Sequence, residues 1–321
     1  MRAEGIFRRA GFAAVLSDYF VVVFIVVLFA ALAPFAPGLA SAGTFQNILA
    51  YMVPLFLAAA GLTIVLITGG IDLSIPAVIA LTSVVGASIM TGHDAGARVV
   101  PGIVAMLLIG AGVGALNGAL ITVPRLPPFI VTLASMLFFN GFAVWLVQSK
   151  NISGLPGSFL AIGKQLPIAL SIALVLGVVL HLVLSRTLFG RWLYALGQNS
   201  TAAHISGVPV LRMTFAAYVL SGICAALAST ILTGRLETGS PVLGREMLLD
   251  VVGAAVIGGT SLFGGRGRIY WTLFGVLFLT LLDTALNLMN LSYFAITISK
   301  GSVILFAAVL DATRRRFVAA A

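Results

Sequence analysis

Long apolar runs dominate this sequence and limit what it can fold into. Ten such runs cover residues 19–37, 48–68, 73–91, 99–123, 126–147, 166–184, 213–233, 248–263, 269–290 and 293–311. A helix needs about 20 mostly apolar residues to cross a hydrocarbon core of about 30 Å. Since 60% of the 321 residues are apolar and only 8% are charged, a water-soluble domain is excluded. The runs predict an all-α, polytopic transmembrane bundle of about ten spans, with residues 1–321 as one domain in contact with membrane lipid.

The eighth run, residues 248–263, is short and carries Asp250. Lipid-exposed backbone must satisfy its own hydrogen bonds, so irregular backbone at membrane depth occurs only where protein surrounds it. We therefore predict that the eighth span is a short or broken helix packed inside the bundle.

The placement of basic residues predicts the orientation, because Lys and Arg in short loops tend to stay cytoplasmic. With the amino terminus inside, twelve of the 18 basic residues fall on the cytoplasmic side. Residues 1–18 are then a cytoplasmic amino-terminal segment, residues 185–212 a cytoplasmic loop and residues 312–321 a cytoplasmic tail. This bias explains the net charge of +9, and no basic patch with interleaved aromatic residues predicts a nucleic-acid partner.

The first run has a second interpretation, as the apolar part of a secretory signal peptide. Arg8 and Arg9 precede it, and Ala40-Ser41-Ala42 is similar to a cleavage site. Cleavage would leave nine spans. The basic carboxyl terminus would then lie on the same side of the membrane as the loops with few basic residues. A retained first span is therefore the favoured interpretation.

No pattern of residues predicts catalysis or a cofactor in this chain. His93, His181 and His204 are scattered without ligand spacing, and Cys224 is the single cysteine, so no metal site is predicted. The glycine-rich residues 264–268 lack the Gly-Lys-Ser/Thr ending of a phosphate-binding loop. If ATP energises the protein, its hydrolysis must occur on another polypeptide.

Polar residues inside the ninth run are candidate functional residues, because a polar group in hydrocarbon is costly unless it is paired or faces a cavity. Asp283 and Asn287 are four apart and Asn290 follows three later, so we expect all three on one helix face. This stripe either lines a polar path for a hydroxylated solute or joins neighbouring helices. We expect a transmembrane bundle of this kind to move a small solute across the bilayer.

Two other spans carry candidate pathway residues. Asn117 lies among Gly110, Gly112, Gly114 and Gly118, where small residues let helices approach closely, so it either packs helices together or faces the path. A looser polar series on the fifth span consists of Thr132, Ser135, Asn140 and Gln148.

Three further charged or polar segments have structural explanations. Asp72 is expected to cap the third span, and Lys300 to extend toward the outer interface along its own apolar stem. Residues 199–207 read as a short polar-capped helix that ends at Gly207, with Pro209 beyond it. That helix is either an ordinary connection or the place where a soluble partner acts on the bundle.

Four segments resemble, in order and spacing, the membrane permeases of ABC sugar importers of the ribose, xylose and arabinose type. They are Thr-Gly-Gly-Ile-Asp-Leu-Ser at 68–74, Leu-Pro-Pro-Phe-Ile-Val-Thr-Leu at 126–133, the stretch 189–207, and Val-Ile-Gly-Gly-Thr-Ser-Leu-Phe-Gly-Gly at 256–265. The likeness extends over about residues 45 to 311. The residues that carry its structural motif are Gly69, Gly70, Asp72, Pro127, Pro128, Gly258 and Gly259.

The resemblance implies a permease of the bacterial cytoplasmic membrane that pairs with a second copy. It also implies a cytoplasmic ABC ATPase that binds MgATP, and an extracytoplasmic solute-binding protein that delivers a monosaccharide. The segment that would couple the chain to the ATPase is Thr201, Ala202, Ala203, His204, Ile205, Ser206 and Gly207. Thr201 stands where such permeases usually have Glu, which removes one charge from the expected contact.

Two alternatives to a sugar importer remain open at this stage. Branched-chain amino acid permeases share a similar ten-span plan. An ion-coupled secondary transporter would use an intramembrane acid such as Asp283, and often a pair of broken helices in corresponding halves. The Gly-Gly pairs at 69–70 and 258–259 are a weak internal repeat, as two such broken helices would show.

Overall fold

The computed structural model describes residues 20–92 and 94–319, and this part of the chain is helical with no β-strand. Its helices are α1 (Phe20–Leu32), α2 (Ala42–Ile67), α3 (Ile75–Met90), α4 (Val99–Thr122), α5 (Pro128–Leu146), α6 (Gly157–Lys164), α7 (Leu166–Arg186), α8 (Leu188–Gln198), α9 (Ser200–Ile205), α10 (Val210–Leu236), α11 (Met247–Ile257), α12 (Ile269–Leu288) and α13 (Tyr293–Ala319). The predicted all-α class is confirmed. The amino-terminal segment 1–18, His93 and the last two residues of the tail lie outside the described residues.

Six helices are long and apolar enough to cross a membrane, namely α2, α4, α5, α7, α10 and α12. Shorter apolar helices accompany them: α1, α3, α11 and the first half of α13. The eighth run is helical only as far as Ile257, and α11 has 11 residues, so this helix is short, as predicted. The third run forms the continuous helix α3, which begins at Ile75 after the non-helical residues 68–74.

Helix α2 forms the centre of the bundle. In its most apolar window 83% of the residues are buried by protein, against 22% for α5 and for α7. It contacts α7, α10, α11 and α12. The outward faces of α4, α5 and α7 are therefore free to contact lipid or another protein.

Glycines on one face of α4 allow it to pack closely on α10. A Cβ atom added to Gly110 would lie 2.7 Å from the Cβ atom of Ala226, and one added to Gly118 would lie 3.0 Å from the Cα atom of Phe215. Gly114 meets α10 in the same way, but Gly112 faces open space. The predicted close approach is confirmed for the glycines that recur every four residues and not for Gly112.

The predicted cytoplasmic loop 185–212 contains two helices. The short helix is confirmed as α9: the Asn199 side chain caps it by accepting from the Ala202 N–H at 2.9 Å, and Gly207 follows it with φ of 83°. Sequence reasoning did not predict α8, which buries Leu193 and Leu196 against the bundle. We call the end of the bundle that holds α8 and α9 the α8 end.

Candidate coupling and pathway sites

Two equivalent glycine turns interrupt the bundle, one in each half of the chain. After α2, Gly69 has φ of 82° and the Gly70 N–H donates to the carbonyl five residues earlier at 3.2 Å. After α11, Gly259 has φ of 79° and the Thr260 N–H donates to the carbonyl five residues earlier at 2.9 Å. Both turns thus end a helix with a left-handed glycine and a six-residue hydrogen-bonded ring, as in the Schellman motif. The repeated Gly-Gly pairs share one local structure.

The segments that follow α2 and α11 meet at Gly197 of α8. The Gly265 N–H donates to the Ile67 carbonyl at 2.9 Å. A Cβ atom on Gly197 would collide with that carbonyl oxygen and lie 2.5 Å from the Gly265 nitrogen, while one on Gly264 would lie 2.7 Å from the Gly197 oxygen and 2.9 Å from the Gly69 nitrogen. We call Gly69, Gly197, Gly264 and Gly265 the glycine joint. It holds three backbone segments together at distances that no side chain permits.

A side-chain bond also fixes α8 to the α11–α12 connection. The Tyr194 hydroxyl donates to the Gly267 carbonyl at 2.7 Å. Burial raises the pKa of Tyr194 above its ordinary value, against the opposing charge of Arg268, so the phenol stays protonated and able to donate. Helix α8 is therefore attached to both interrupted segments.

The predicted coupling segment continues directly from α8. Ala203 and Val208 are buried and anchor it to the protein, whereas Ile205 is 81% exposed. Thr201, Ala202, His204, Ser206 and Gly207 are exposed as well. The segment therefore presents the apolar side chain of Ile205 and several small polar residues to the outside. Ala203 and Val208 attach the segment to the bundle.

Asp72 lies in the interrupted segment between α2 and α3 and is 1% exposed. One carboxyl oxygen accepts from the Ser74 N–H at 3.0 Å and from the Ser74 hydroxyl at 2.6 Å, and the other accepts from the Ser221 hydroxyl of α10 at 2.7 Å. Ser74 precedes α3 and its own side chain makes no capping bond. Asp72 therefore accepts a backbone N–H at the start of α3, as expected of a cap, and in addition joins that start to α10.

Asn117 and Ser135 extend these contacts into α4 and α5. The Ser135 hydroxyl donates to the Asn117 side-chain oxygen at 2.6 Å, and the Asn117 amide donates to the Ser74 hydroxyl at 2.8 Å. We call Asp72, Ser74, Asn117, Ser135 and Ser221 the Asp72 network. Its donors form a chain that ends on a buried carboxyl group, so each member is satisfied as a buried polar group must be. Asn117 is fully buried in this network.

The Ile71 carbonyl is a second point of attachment beside the network. It accepts from the Tyr218 hydroxyl of α10 at 3.1 Å and from the Thr132 hydroxyl of α5 at 3.3 Å. A Cβ atom on Gly70 would lie 2.5 Å from the Tyr218 oxygen, so the bond requires glycine there. The sequence signal missed was Tyr218 and Ser221, two polar residues three apart in an apolar run.

Pro127 and Pro128 set the start of α5 beside this segment. Pro127 occupies the position before the helix with φ of −59° and ψ of 130°, and Pro128 is the first helical residue. Proline fits there because its missing N–H would have no partner in the helix. The motif thereby fixes the position of Thr132 one turn later, where its hydroxyl also bonds the Pro128 carbonyl at 2.9 Å. Asn140, farther along α5, is half-buried.

An ion triad joins the last three helices. The Lys300 ammonium of α13 lies 3.2 Å from an Asp250 oxygen of α11 and 2.8 Å from an Asp283 oxygen of α12. The expectation that Lys300 extends toward the outer interface did not include these two acidic partners. No spacing in the sequence linked these residues, since they are brought together only by packing of three separate helices.

The predicted polar stripe on α12 is shorter than expected. Asn287 is exposed and donates to the Asp283 backbone carbonyl at 2.7 Å. Asn290 lies beyond the end of α12 with φ of 54°, so its predicted place on the same helix face is wrong. Gln148 likewise follows the end of α5, with φ of 49°.

Comparison with known proteins identifies the family. Residues 44–310 match the family described as the branched-chain amino acid transport system, permease component. The chain is 40% identical to the ribose import permease protein of Bacillus subtilis (79% of this chain, 80% of the relative) and 35% identical to that of Escherichia coli K12 (89% and 91%). It is 32% identical to the L-arabinose transport system permease protein of Escherichia coli K12 (95% and 93%). No solved structure matches the chain.

These relatives are permeases, and the apolar helices make this chain a multi-pass membrane protein. The resemblance found in the four sequence segments is confirmed. The chain belongs to this family of membrane permease components, together with the permeases of sugar ABC transporters.

Proposed function

We propose that this chain is the transmembrane subunit of an ATP-driven, binding-protein-dependent importer of a monosaccharide. Family membership and the ribose and arabinose permeases among its relatives support the transport role and the substrate class. The glycine joint is the observation that carries the mechanism, because it ties the exposed segment α8–α9 to both halves of the bundle. The ATPase, with its bound MgATP, is a separate subunit.

The distribution of charge supports a cytoplasmic location for the α8 end. Arg186 and Arg212 flank α8 and α9 along the chain, Arg266 and Arg268 lie in the α11–α12 connection that bonds α8, and Arg125 lies beside the start of α10. Short basic loops favour the cytoplasmic side. In this orientation the chain spans the bacterial cytoplasmic membrane about ten times with both termini inside, and α6 faces the extracytoplasmic binding protein.

Coupling then proceeds from the ATPase through α9 to the interior. Closure of the ATPase on ATP pushes the exposed residues around Ile205, and α8 carries this displacement to the glycine joint. The joint moves the segment that holds Asp72 and the connection between α11 and α12 together. The bundle thereby alternates between two arrangements, as gated transporters require.

The solute path requires a second copy of the chain. The Asp72 network is saturated with internal hydrogen bonds, whereas α5 exposes most of its surface and carries the half-buried Asn140. Two such faces opposed across a symmetry axis enclose a path that neither forms alone. The buried hydrogen bonds of Thr132 and Asn117 fix the position of this face of α5.

Transport assays with the assembled complex test the proposed function. We expect ATP-dependent uptake of D-ribose or L-arabinose into proteoliposomes that contain the permease, its ATPase and the loaded binding protein. A preference for L-leucine would move the substrate class to branched-chain amino acids. Uptake by the permease alone, driven by a sodium or proton gradient, would refute the ATP-driven importer.

A charged substitution in α9 tests the coupling assignment separately. Ile205→Asp places a charge at this exposed position of α9. We expect the permease to fold and the complex to lose most of its substrate-stimulated ATP hydrolysis. Leu188→Asp is the matched control, because Leu188 is a 48% exposed apolar residue at the same end, in the first turn of α8. Equal stimulation in the two variants would contradict the role of α9.

A further inference from the structure

A groove at the α8 end has no role in the proposed transport cycle. It lies between the end of α4 and the start of α10 and has a volume of about 450 Å³. Its lining consists of Thr122, Val123, Arg125, Leu211, Arg212 and Phe215. The lining thus combines two cationic side chains with a largely apolar surface.

The apolar wall is built by the close packing of α4 on α10. Gly118 lets the backbone of Phe215 approach, and the Thr122 hydroxyl donates to the Gly118 carbonyl at 2.7 Å. The threonine therefore offers no free donor to the groove. Val123 is 80% exposed and Leu211 is 51% exposed. Apolar surface of this extent at a membrane boundary is suited to contact with acyl chains.

The two arginines of the groove have no partner within the described residues. The ion pairs found in residues 20–92 and 94–319 involve Lys164 and Lys300, and neither Arg125 nor Arg212 donates a side-chain hydrogen bond there. A guanidinium group offers five N–H donors in a geometry that matches phosphate oxygens. Two unpaired arginines beside a membrane-facing apolar wall therefore form a basic pocket of the kind that binds anionic head groups.

We infer that this groove binds an anionic phospholipid, with its phosphate at Arg125 and Arg212 and an acyl chain along Val123, Leu211 and Phe215. Charge complementarity selects the head group, and the apolar wall distinguishes a lipid from a free anion. Leu120 lies about one helical turn before Val123 on α4 and is 38% exposed, so further apolar surface is available to an acyl chain.

Lipid retention by the purified protein tests this inference. Native mass spectrometry of the wild-type chain, titrated with phosphatidylglycerol, should show one tightly held lipid per chain, and phosphatidylcholine should not replace it. Arg125→Gln with Arg212→Gln should weaken retention about 30-fold, from roughly 1 kcal/mol per basic residue. Arg186→Gln with Arg266→Gln removes two exposed arginines at the same end outside the groove and should retain the lipid.

Three outcomes of these titrations would overturn the inference. Equal retention in the two double variants would remove the role of the groove arginines. Equal retention of phosphatidylcholine would leave an apolar groove without charge recognition. Displacement of the lipid by inorganic phosphate would indicate a site for free anions.

Fluorescence quenching in the assembled complex distinguishes lipid from a protein partner. Val123→Cys can be labelled selectively, because the native Cys224 is 1% exposed. In nanodiscs that contain brominated phosphatidylglycerol, we expect strong quenching of the label before and after the ATPase and the second permease copy assemble. Loss of quenching on assembly would show that another protein covers the groove.

Discussion

Gly197 of α8 lies where no side chain fits, and its replacement by alanine tests the glycine joint directly. The added Cβ atom would collide with the Ile67 carbonyl oxygen and lie 2.5 Å from the Gly265 nitrogen. Those two groups form the 2.9 Å hydrogen bond that closes the joint. Because both neighbours are backbone atoms, no side-chain rotation can relieve the overlap. Helix α8 must move away, or the bond must open.

The structure gives the magnitude expected for Gly197→Ala. Real Cβ contacts almost never fall below 3.0 Å, so the Gly265 segment alone must shift by about 0.5 Å from its 2.5 Å distance. Overpacking costs about 1–3 kcal/mol and an opened buried hydrogen bond a further 1 kcal/mol or so. A total of about 2–4 kcal/mol corresponds to a fall of roughly 3–6 °C in the unfolding temperature of a chain of 321 residues.

The buried thiol of Cys224 provides the assay. A maleimide that becomes fluorescent on reaction reports unfolding when this single cysteine, 1% exposed in the fold, becomes accessible on heating. Gly112→Ala is the matched control, since a Cβ atom there meets nothing within 4 Å, and it should unfold at the wild-type temperature or above. Below its unfolding temperature, Gly197→Ala should also reduce substrate-stimulated ATP hydrolysis by the complex. Identical unfolding temperatures for the two variants would refute the reasoning.

Three further substitutions test the other contacts. Ser221→Ala leaves one Asp72 oxygen without its donor and should cost about 1–3 kcal/mol in the same unfolding assay, whereas no change would exclude a stabilising role for that bond. Lys300→Met leaves two acids unpaired and should lower the free energy of unfolding by about 1–3 kcal/mol, a range already reduced for the partial exposure of the triad. This loss should be larger than the loss caused by Asp283→Asn. The reverse order would contradict the triad. Thr201→Glu restores a charge and should raise ATPase affinity up to about fivefold in a binding titration, unlike the uncharged Thr201→Gln. Equal effects would show that the charge is irrelevant.

Periodicity and composition predicted most of the fold because each membrane helix must satisfy its backbone within itself. The short helix α9 was predictable for a local reason, since Asn199 caps it and Gly207 ends it. Helix α8 was not predicted, because it is an amphipathic helix that lacks a long apolar run. Its burial depends on contacts with the bundle, which no local pattern records.

The candidate sites were predictable only as far as local signals extend. The resemblance identified Gly69 and Gly70 as a motif, but their partners Gly197 and Gly264 lie far away in the sequence. Asp72 was expected to act within its own helix, whereas its second oxygen bonds α10. Long-range pairs of this kind depend on how helices pack, and polar residues in apolar runs show only that some partner is required.

The hydrogen bonds of the polar residues decide which of them remain available to a solute. Asn117 and Thr132 are fully buried and bonded inside the protein, and Asp283 is bound to Lys300. A solute hydroxyl would have to displace an existing internal partner to bind any of these groups, which gains little. Asn140 is half-buried, and Asn287 is exposed although its amide donates to the Asp283 carbonyl. We therefore propose that polar recognition by the permease depends on Asn140 and Asn287, whereas the Asp72 network joins helices to one another.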